Sequence, residues 1–175
     1  MSKIDYDISK IKGIVFDVDG VLSPSTCPLS ESGKPIRMGN VKDGYALQLA
    51  VRLGLKIAVI TGGSSVEFAN RMKLLGIKDF WQNVGDKLPV LKKWIEDNDL
   101  SPEEVAYMGD DIPDLRCLRY VGLPTCPFDA AWEVKQESTY ISTFTGGYGA
   151  ARDIIREVMS ARGLWNPNSP ASLEW

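Results

Sequence analysis

The chain has 175 residues, 44% of them apolar and 25% charged, with a formal net charge of −3. That is the size of one globular domain with a sizeable core, and it offers no block of like charges as a footprint for nucleic acid or an anionic membrane. No apolar stretch approaches the length of a bilayer span, and histidine is absent, which excludes serine–histidine triads, histidine general bases and histidine-bound zinc within the chain.

Proton transfer is therefore left to carboxylates, lysine, tyrosine or cysteine. A bound metal would meet mainly oxygen, which favours Mg²⁺ over zinc. Cys27, Cys117 and Cys126 are scattered and odd in number, as in a protein of the reducing cytoplasm. The polar Met1–Lys10 segment does not read as a signal peptide.

In chain order, the apolar run 11–16 reads as a buried strand ending at Asp17. The Pro-, Ser- and Gly-rich stretch that follows predicts a projecting hairpin over about residues 25–40. Helical spacing runs from Asp43 to Leu53, and a second buried strand occupies 55–60. After Thr61-Gly62-Gly63, Ser64 and Glu67 form a capping-box pattern for a helix to Leu75. A short apolar piece, 80–84, leads through Gly85-Asp86 into a helix to Asp97, with Pro89 in its first turn. Ser101 and Glu104 give another capping signal, but strand-like 105–108 follows at once. Gly109-Asp110-Asp111 opens a helix that ends near Gly122. A strand at 123–126, a helix at 129–136, a strand at 140–142 and a helix at 150–161 complete the series. The pattern predicts an α/β fold, a Rossmann-like doubly wound parallel sheet, as one domain over residues 1–163 with an irregular tail over 164–175. Ligands of such sheets bind beyond the carboxyl ends of the strands, where Asp17, Asp19, Thr61 and Asp110 fall.

Asp17-Val18-Asp19-Gly20 is the central constellation. Two carboxylates at i and i+2, where a strand breaks into a loop, can converge on one cation, and an aspartate can attack phosphorus to form an aspartyl-phosphate. The same four residues also read as an acidic loop cap after a strand. In the second acidic cluster, Asp110 is a candidate metal ligand, and Asp111 and Asp114 candidates to hold metal waters or orient Lys87. Helix capping is the competing reading. Thr61-Gly62-Gly63 offers a hydroxyl and small-residue amides as a phosphate cradle, or is a plain strand-to-helix turn. Lys87 is either a fixed charge for a phosphoryl oxygen or a solvated surface group. Arg37, Lys42, Arg71 and Arg152 are candidate substrate contacts, with surface solvation as their alternative.

Taken together and in this order, Asp17-Val18-Asp19-Gly20, Thr61-Gly62, Lys87 and Gly109-Asp110-Asp111 resemble the four motifs of the haloacid dehalogenase-superfamily phosphatases. The likeness is greatest to the small capless branch that contains the 3-deoxy-D-manno-octulosonate 8-phosphate phosphatases of lipopolysaccharide sugar supply. It spans residues 8–162 and includes Val41-Lys42-Asp43-Gly44, Arg71 and the Gly146–Arg152 segment. The resemblance implies a fold without a cap domain and Asp17 as nucleophile, with Asp19 as general acid and then base. It implies Mg²⁺ held by the Asp17 and Asp110 side chains and the Asp19 carbonyl, and Thr61 and Lys87 on the phosphoryl group. It also implies a homotetramer in which a neighbouring subunit, through the hairpin, covers each site. Many such relatives carry arginine where Gly63 and Tyr148 stand here, which leaves nine-carbon keto-sugar acid 9-phosphates open as substrates. A phospho-accepting receiver domain is the reading from a different class. The order of the parts speaks against it, since Asp19 lies two residues after the proposed nucleophile and suits rapid hydrolysis.

Overall fold

A computed structural model describes residues 6–174. Met1–Asp5, half of the segment judged not to be a signal peptide, and Trp175 at the end of the tail lie outside the described residues.

Six strands form one parallel sheet: β1 (Gly13–Phe16), β2 (Lys56–Ile60), β3 (Asp79–Trp81), β4 (Val105–Met108), β5 (Leu123–Cys126) and β6 (Tyr140–Ile141), in the order β3-β2-β1-β4-β5-β6. The order reverses between β1 and β4, the crevice where doubly wound sheets bind ligands. Alternate residues of the central strands feed two cores, as the period of a strand requires. Ile14, Phe16, Ile57, Val59, Ala106 and Met108 face helices α1 (Val41–Arg52), α2 (Val66–Leu74) and α6 (Ala150–Ala161). Val15, Ala58, Ile60, Val105 and Tyr107 face α3 (Lys87–Asp97), α4 (Leu115–Leu118) and α5 (Trp132–Glu137). None of the helices among the described residues is long and apolar enough to cross a membrane. The expected doubly wound sheet without a cap domain is what the chain forms.

Three local expectations are corrected, and the expected hairpin forms with a short ladder. The helix expected from Gly109 to Gly122 is broken into a 3₁₀ turn, Ile112–Asp114, and the single turn α4, because Pro113 sits at its start and Asp114 turns inward to the site instead of continuing a surface helix. The cap of α2 is Ser65, whose Oγ accepts from Phe68 N at 3.1 Å, while the carbonyl of Ser64 is taken by Arg37. The predicted hairpin pairs at one antiparallel bridge, Leu29 with Pro35, closed by Gly33 N donating to Ser30 O; with two prolines in its arms it cannot extend the ladder. The tail is not irregular throughout: α7 (Pro170–Leu173) forms after Ser169, and Tyr45 Oη and Arg52 donate to the carbonyls of Ser172 and Glu174.

Two sequence segments that seemed chemical turn out to grip each other. Buried Asp43 of α1 accepts from Gly149 N and Arg152 N, satisfying the open amides at the start of α6, and Asn40, the cap of α1, donates to Gly147 O. The clamp lays the Gly146-Gly147 backbone against the loop after β1, where a Cβ on Gly146 would come 1.8 Å from Gly20 O.

Candidate active site

The backbone of β1 ends by donating from Asp17 N to Met108 O, which lines Asp17 up with the end of β4. Beyond it the chain curls. Val18 O accepts from the amides of Val21, Leu22 and Ser23, and Gly20 sits at φ +80° with Asp110 against it. A Cβ on Gly20 would lie 1.9 Å from Asp110 Oδ2. Gly20 therefore serves twice, for the left-handed turn and for the approach of the second carboxylate.

Asp17, Thr61, Lys87 and Asp114 are all buried polar residues at this rim. Lys87 is the first residue of α3, after Asp86 whose side chain accepts from Leu88 N. Its Nζ donates to Asp114 Oδ1 at 2.7 Å and lies 3.0 Å from Asp17 Oδ1. Tyr107 Oη donates to the same Asp114 oxygen at 2.7 Å, and Asp110 N to the other at 3.1 Å. Asp114 thus accepts three hydrogen bonds and holds the lysine in place. Asp17 Oδ1 is the contrast: buried, beside an ammonium group, yet without an aligned hydrogen bond. Asp19 is half exposed and accepts from Arg37 with both oxygens, each at 2.8 Å. Thr61 Oγ1 accepts from Gly63 N, curling the Thr61–Ser64 turn into a shelf.

Burial is the main cause that raises Asp17 to about 7, with the Asp114 charge adding and Lys87 opposing. Burial, then Asp17, Asp114 and Asp111, push Asp110 up to about 8. For Lys87 burial favours loss of the proton, but Asp17 and Asp114 outweigh it and hold the group above its ordinary value. Carboxylates that cannot all ionise together are the signature of a site built for a cation. Ligand oxygens of Asp17, Asp110 and Asp114 lie within 4.8 Å of one another. With Asp114 already accepting three hydrogen bonds, Asp17 and Asp110 are the side chains with most capacity for an ion. The residues fit Mg²⁺, a hard cation that takes oxygen ligands.

A cleft of about 620 Å³ collects Asp17, Asp19, Thr61, Gly62, Gly63, Lys87, Asp110, Asp111 and Asp114. The four motifs, spread over nearly a hundred residues, meet there. Asp111 caps the turn that follows it, accepting from Ile112 N. Of the four basic candidates, Arg37 reaches the cleft through Asp19. Arg71 lies instead over Gly44, and Lys42 and Arg152 line a separate depression with Phe144 and Tyr148. Arg152 stands 5.4 and 5.3 Å from the rings of Tyr45 and Trp165, so α1 and the tail hold it away from the cleft. Sequence reasoning missed Tyr107, hidden as an apolar strand residue, and Ser25 and Asn83 in the cleft wall.

No family model matches the chain. The 3-deoxy-D-manno-octulosonate 8-phosphate phosphatase KdsC of Escherichia coli K12 is 32% identical over 153 residues, 87% of this chain and 81% of that protein. The chain belongs to that family, within the haloacid dehalogenase superfamily. Among solved structures of the superfamily, a YrbI-family protein from Pseudomonas syringae superposes with a TM-score of 0.89 at 37% identity, covering 97% of this chain and 96% of that one. The 3-deoxy-D-manno-octulosonate 8-phosphate phosphatase of Moraxella catarrhalis, solved with a magnesium ion, a phosphate ion and a KDO molecule, gives 0.84 at 33% identity over 90% of each chain. Haloacid dehalogenase-type architecture accounts for the carboxylate convergence at the β1–β4 crevice.

Proposed function

We propose that this chain is a Mg²⁺-dependent phosphoric monoester hydrolase that cleaves 3-deoxy-D-manno-octulosonate 8-phosphate to the free sugar acid and phosphate, serving lipopolysaccharide sugar biosynthesis in the cytoplasm. The observation that carries it is the convergence of Asp17, Lys87 and Asp110 on one cleft, with a buried Asp17 oxygen left without an aligned hydrogen bond. Kinship with KdsC supports the substrate.

Asp17 attacks phosphorus while Asp19 gives a proton to the leaving alkoxide, yielding an aspartyl-phosphate and the sugar acid. Asp19 then takes a proton from water, which attacks the phosphorus and restores Asp17. Lys87, fixed by Asp114 and Tyr107, and the Thr61-Gly62-Gly63 shelf hold the phosphoryl oxygens, their charge and amides in place before the reaction begins. Asp17 and Asp110 side chains, with the Asp19 carbonyl, are the donors for Mg²⁺. When bound, the ion screens carboxylate from phosphate and polarises the phosphoryl group.

The unit that does this is the single domain of residues 1–163. It assembles as a homotetramer in which the hairpin of a neighbouring subunit covers each open cleft; exposed Leu29, Ile36 and Met38 on and beside that hairpin support the reading. Phosphate release measured across keto-sugar acid phosphates with Mg²⁺ tests the assignment. The eight-carbon ester should be preferred over nine-carbon relatives and over p-nitrophenyl phosphate, and a lack of preference would withdraw the substrate.

A further inference from the structure

Arg37 is built into this site, yet the phosphoryl chemistry makes no use of it. The residue comes from the returning arm of the hairpin, but its side chain is only 7% exposed. Nε and Nη2 donate to the two oxygens of Asp19 at 2.8 Å each, and Nη1 donates to Ser64 O at 2.9 Å. The guanidinium lies directly over Gly63, where a Cβ would come 2.0 Å from Nη2. Glycine at 63 is what leaves room for it. Beyond Arg37 opens a second cleft of about 700 Å³, lined by Lys34, Ser64, Ser65, Gln82 and Asn83 among others. Asn83 lines both clefts and Gly63, beneath the guanidinium, lines the phosphoryl cleft, so Arg37 stands where the two clefts meet.

Two consequences follow from this placement. A general acid must present a protonated oxygen to the leaving group, whereas both Asp19 oxygens are accepting from Arg37. Release from the fork frees an Asp19 oxygen to turn toward the leaving group. The guanidinium is also already set to receive a carboxylate in a two-point fork, since that is how it holds Asp19. In the second cleft Lys34, Ser64, Ser65, Gln82 and Asn83 offer polar partners to a hydroxyl-bearing chain extending from the phosphoryl site, beside apolar Pro35, Ile36 and Val66.

We propose that Arg37 is the specificity residue for a carboxylate on the leaving portion of the substrate, and that this carboxylate takes the place of Asp19 on the guanidinium. Recognition of the sugar acid thereby frees the acid for proton transfer. An ester without a carboxylate leaves Asp19 latched and is turned over slowly even when bound. The assignment rests on the reading of Asp17 and Asp19 given above.

The test compares phosphate release by the full-length Mg²⁺-loaded enzyme on a 2-keto sugar acid phosphate, a neutral sugar phosphate of equal length and p-nitrophenyl phosphate. In the unaltered protein the carboxylate ester should hold its advantage partly in kcat. Arg37→Gln should cut the ratio of kcat/KM between the acidic and neutral sugar phosphates about 10- to 100-fold, the worth of a charge-assisted fork, and Arg37→Lys should retain part of it. Gly63→Ala, which displaces the guanidinium without removing it, should lower the same ratio and serves if Arg37→Gln folds poorly. An unchanged ratio, or an equal fall on both sugar phosphates, overturns the assignment while the phosphatase reading stands. Absence of phosphate release from all three esters overturns both.

Discussion

Lys87 shows how this site resolves a conflict between burial and charge. An ammonium group enclosed at the positive end of a helix is unfavourable on both counts, and the Asp17 and Asp114 carboxylates at 3.0 and 2.7 Å compensate. Burial first, and the neighbouring carboxylates second, make Asp17 and Asp110 resist ionisation without a cation. Replacing Asp17 by Asn removes the nucleophile and one charge from this crowd. Phosphate release should fall by about three orders of magnitude or more, while the metal-free variant at pH 8 should melt higher than the unaltered protein in calorimetry. A lower melting temperature would mean that Asp17 stabilises the fold instead of straining it. Gly20→Ala places a side chain where Asp110 sits and at φ +80°. The expected cost is at least about 1–2 kcal/mol of stability, with turnover reduced about a hundredfold by displacement of Asp110; denaturant titration and phosphate release check the two.

At the scale of elements, the clamp between α1 and α6 sets the floor of the site. Asp43 is buried and satisfies two backbone amides of the α6 start. Asp43→Ala should cost about 2 kcal/mol, a fall of roughly 4–8 °C in melting temperature for a chain of this length. Much of the architecture was legible in the sequence because buried parallel strands contain short apolar runs such as 57–60, here set between Gly54 and Thr61-Gly62. The phosphoryl cleft was legible for the same reason: its residues follow strand ends, and strand ends in such sheets share one rim. What stayed hidden depends on side-chain contacts between distant segments. Asp43 and the Gly146–Arg152 segment looked chemical, and nothing local says that they cap each other. Arg37 was a candidate substrate contact by its charge alone, and its seat over Gly63 exists only in the folded chain. Ser65 displaced Ser64 as the cap because Arg37 takes the Ser64 carbonyl, a tertiary demand no capping pattern contains.

For the whole molecule, the carboxylate cluster ties stability to pH and metal. Asp17 and Asp110 stand at about 7 and 8, above the unfolded value of 3.8. For acids raised in this way, the contribution to folding is fully present below pH 3.8, is lost progressively as pH rises from there, and is gone above the folded values of about 7 and 8. The metal-free protein should therefore show a melting temperature that falls from about pH 5 to pH 8 and levels off above that. Mg²⁺ binds the ionised carboxylates, so it should flatten the decline and release protons on addition near pH 7; a melting temperature indifferent to both would detach these residues from the ion. The central claim is covalent catalysis by one residue at the sheet's switch point. It is tested most directly by acid-quenching the enzyme during Mg²⁺-supported turnover, reducing it with borohydride and sequencing its peptides by mass spectrometry. The account predicts homoserine at position 17, the mark of an acyl phosphate on Asp17. Continued turnover with residue 17 unmodified, or with the mark on another carboxylate, would contradict it.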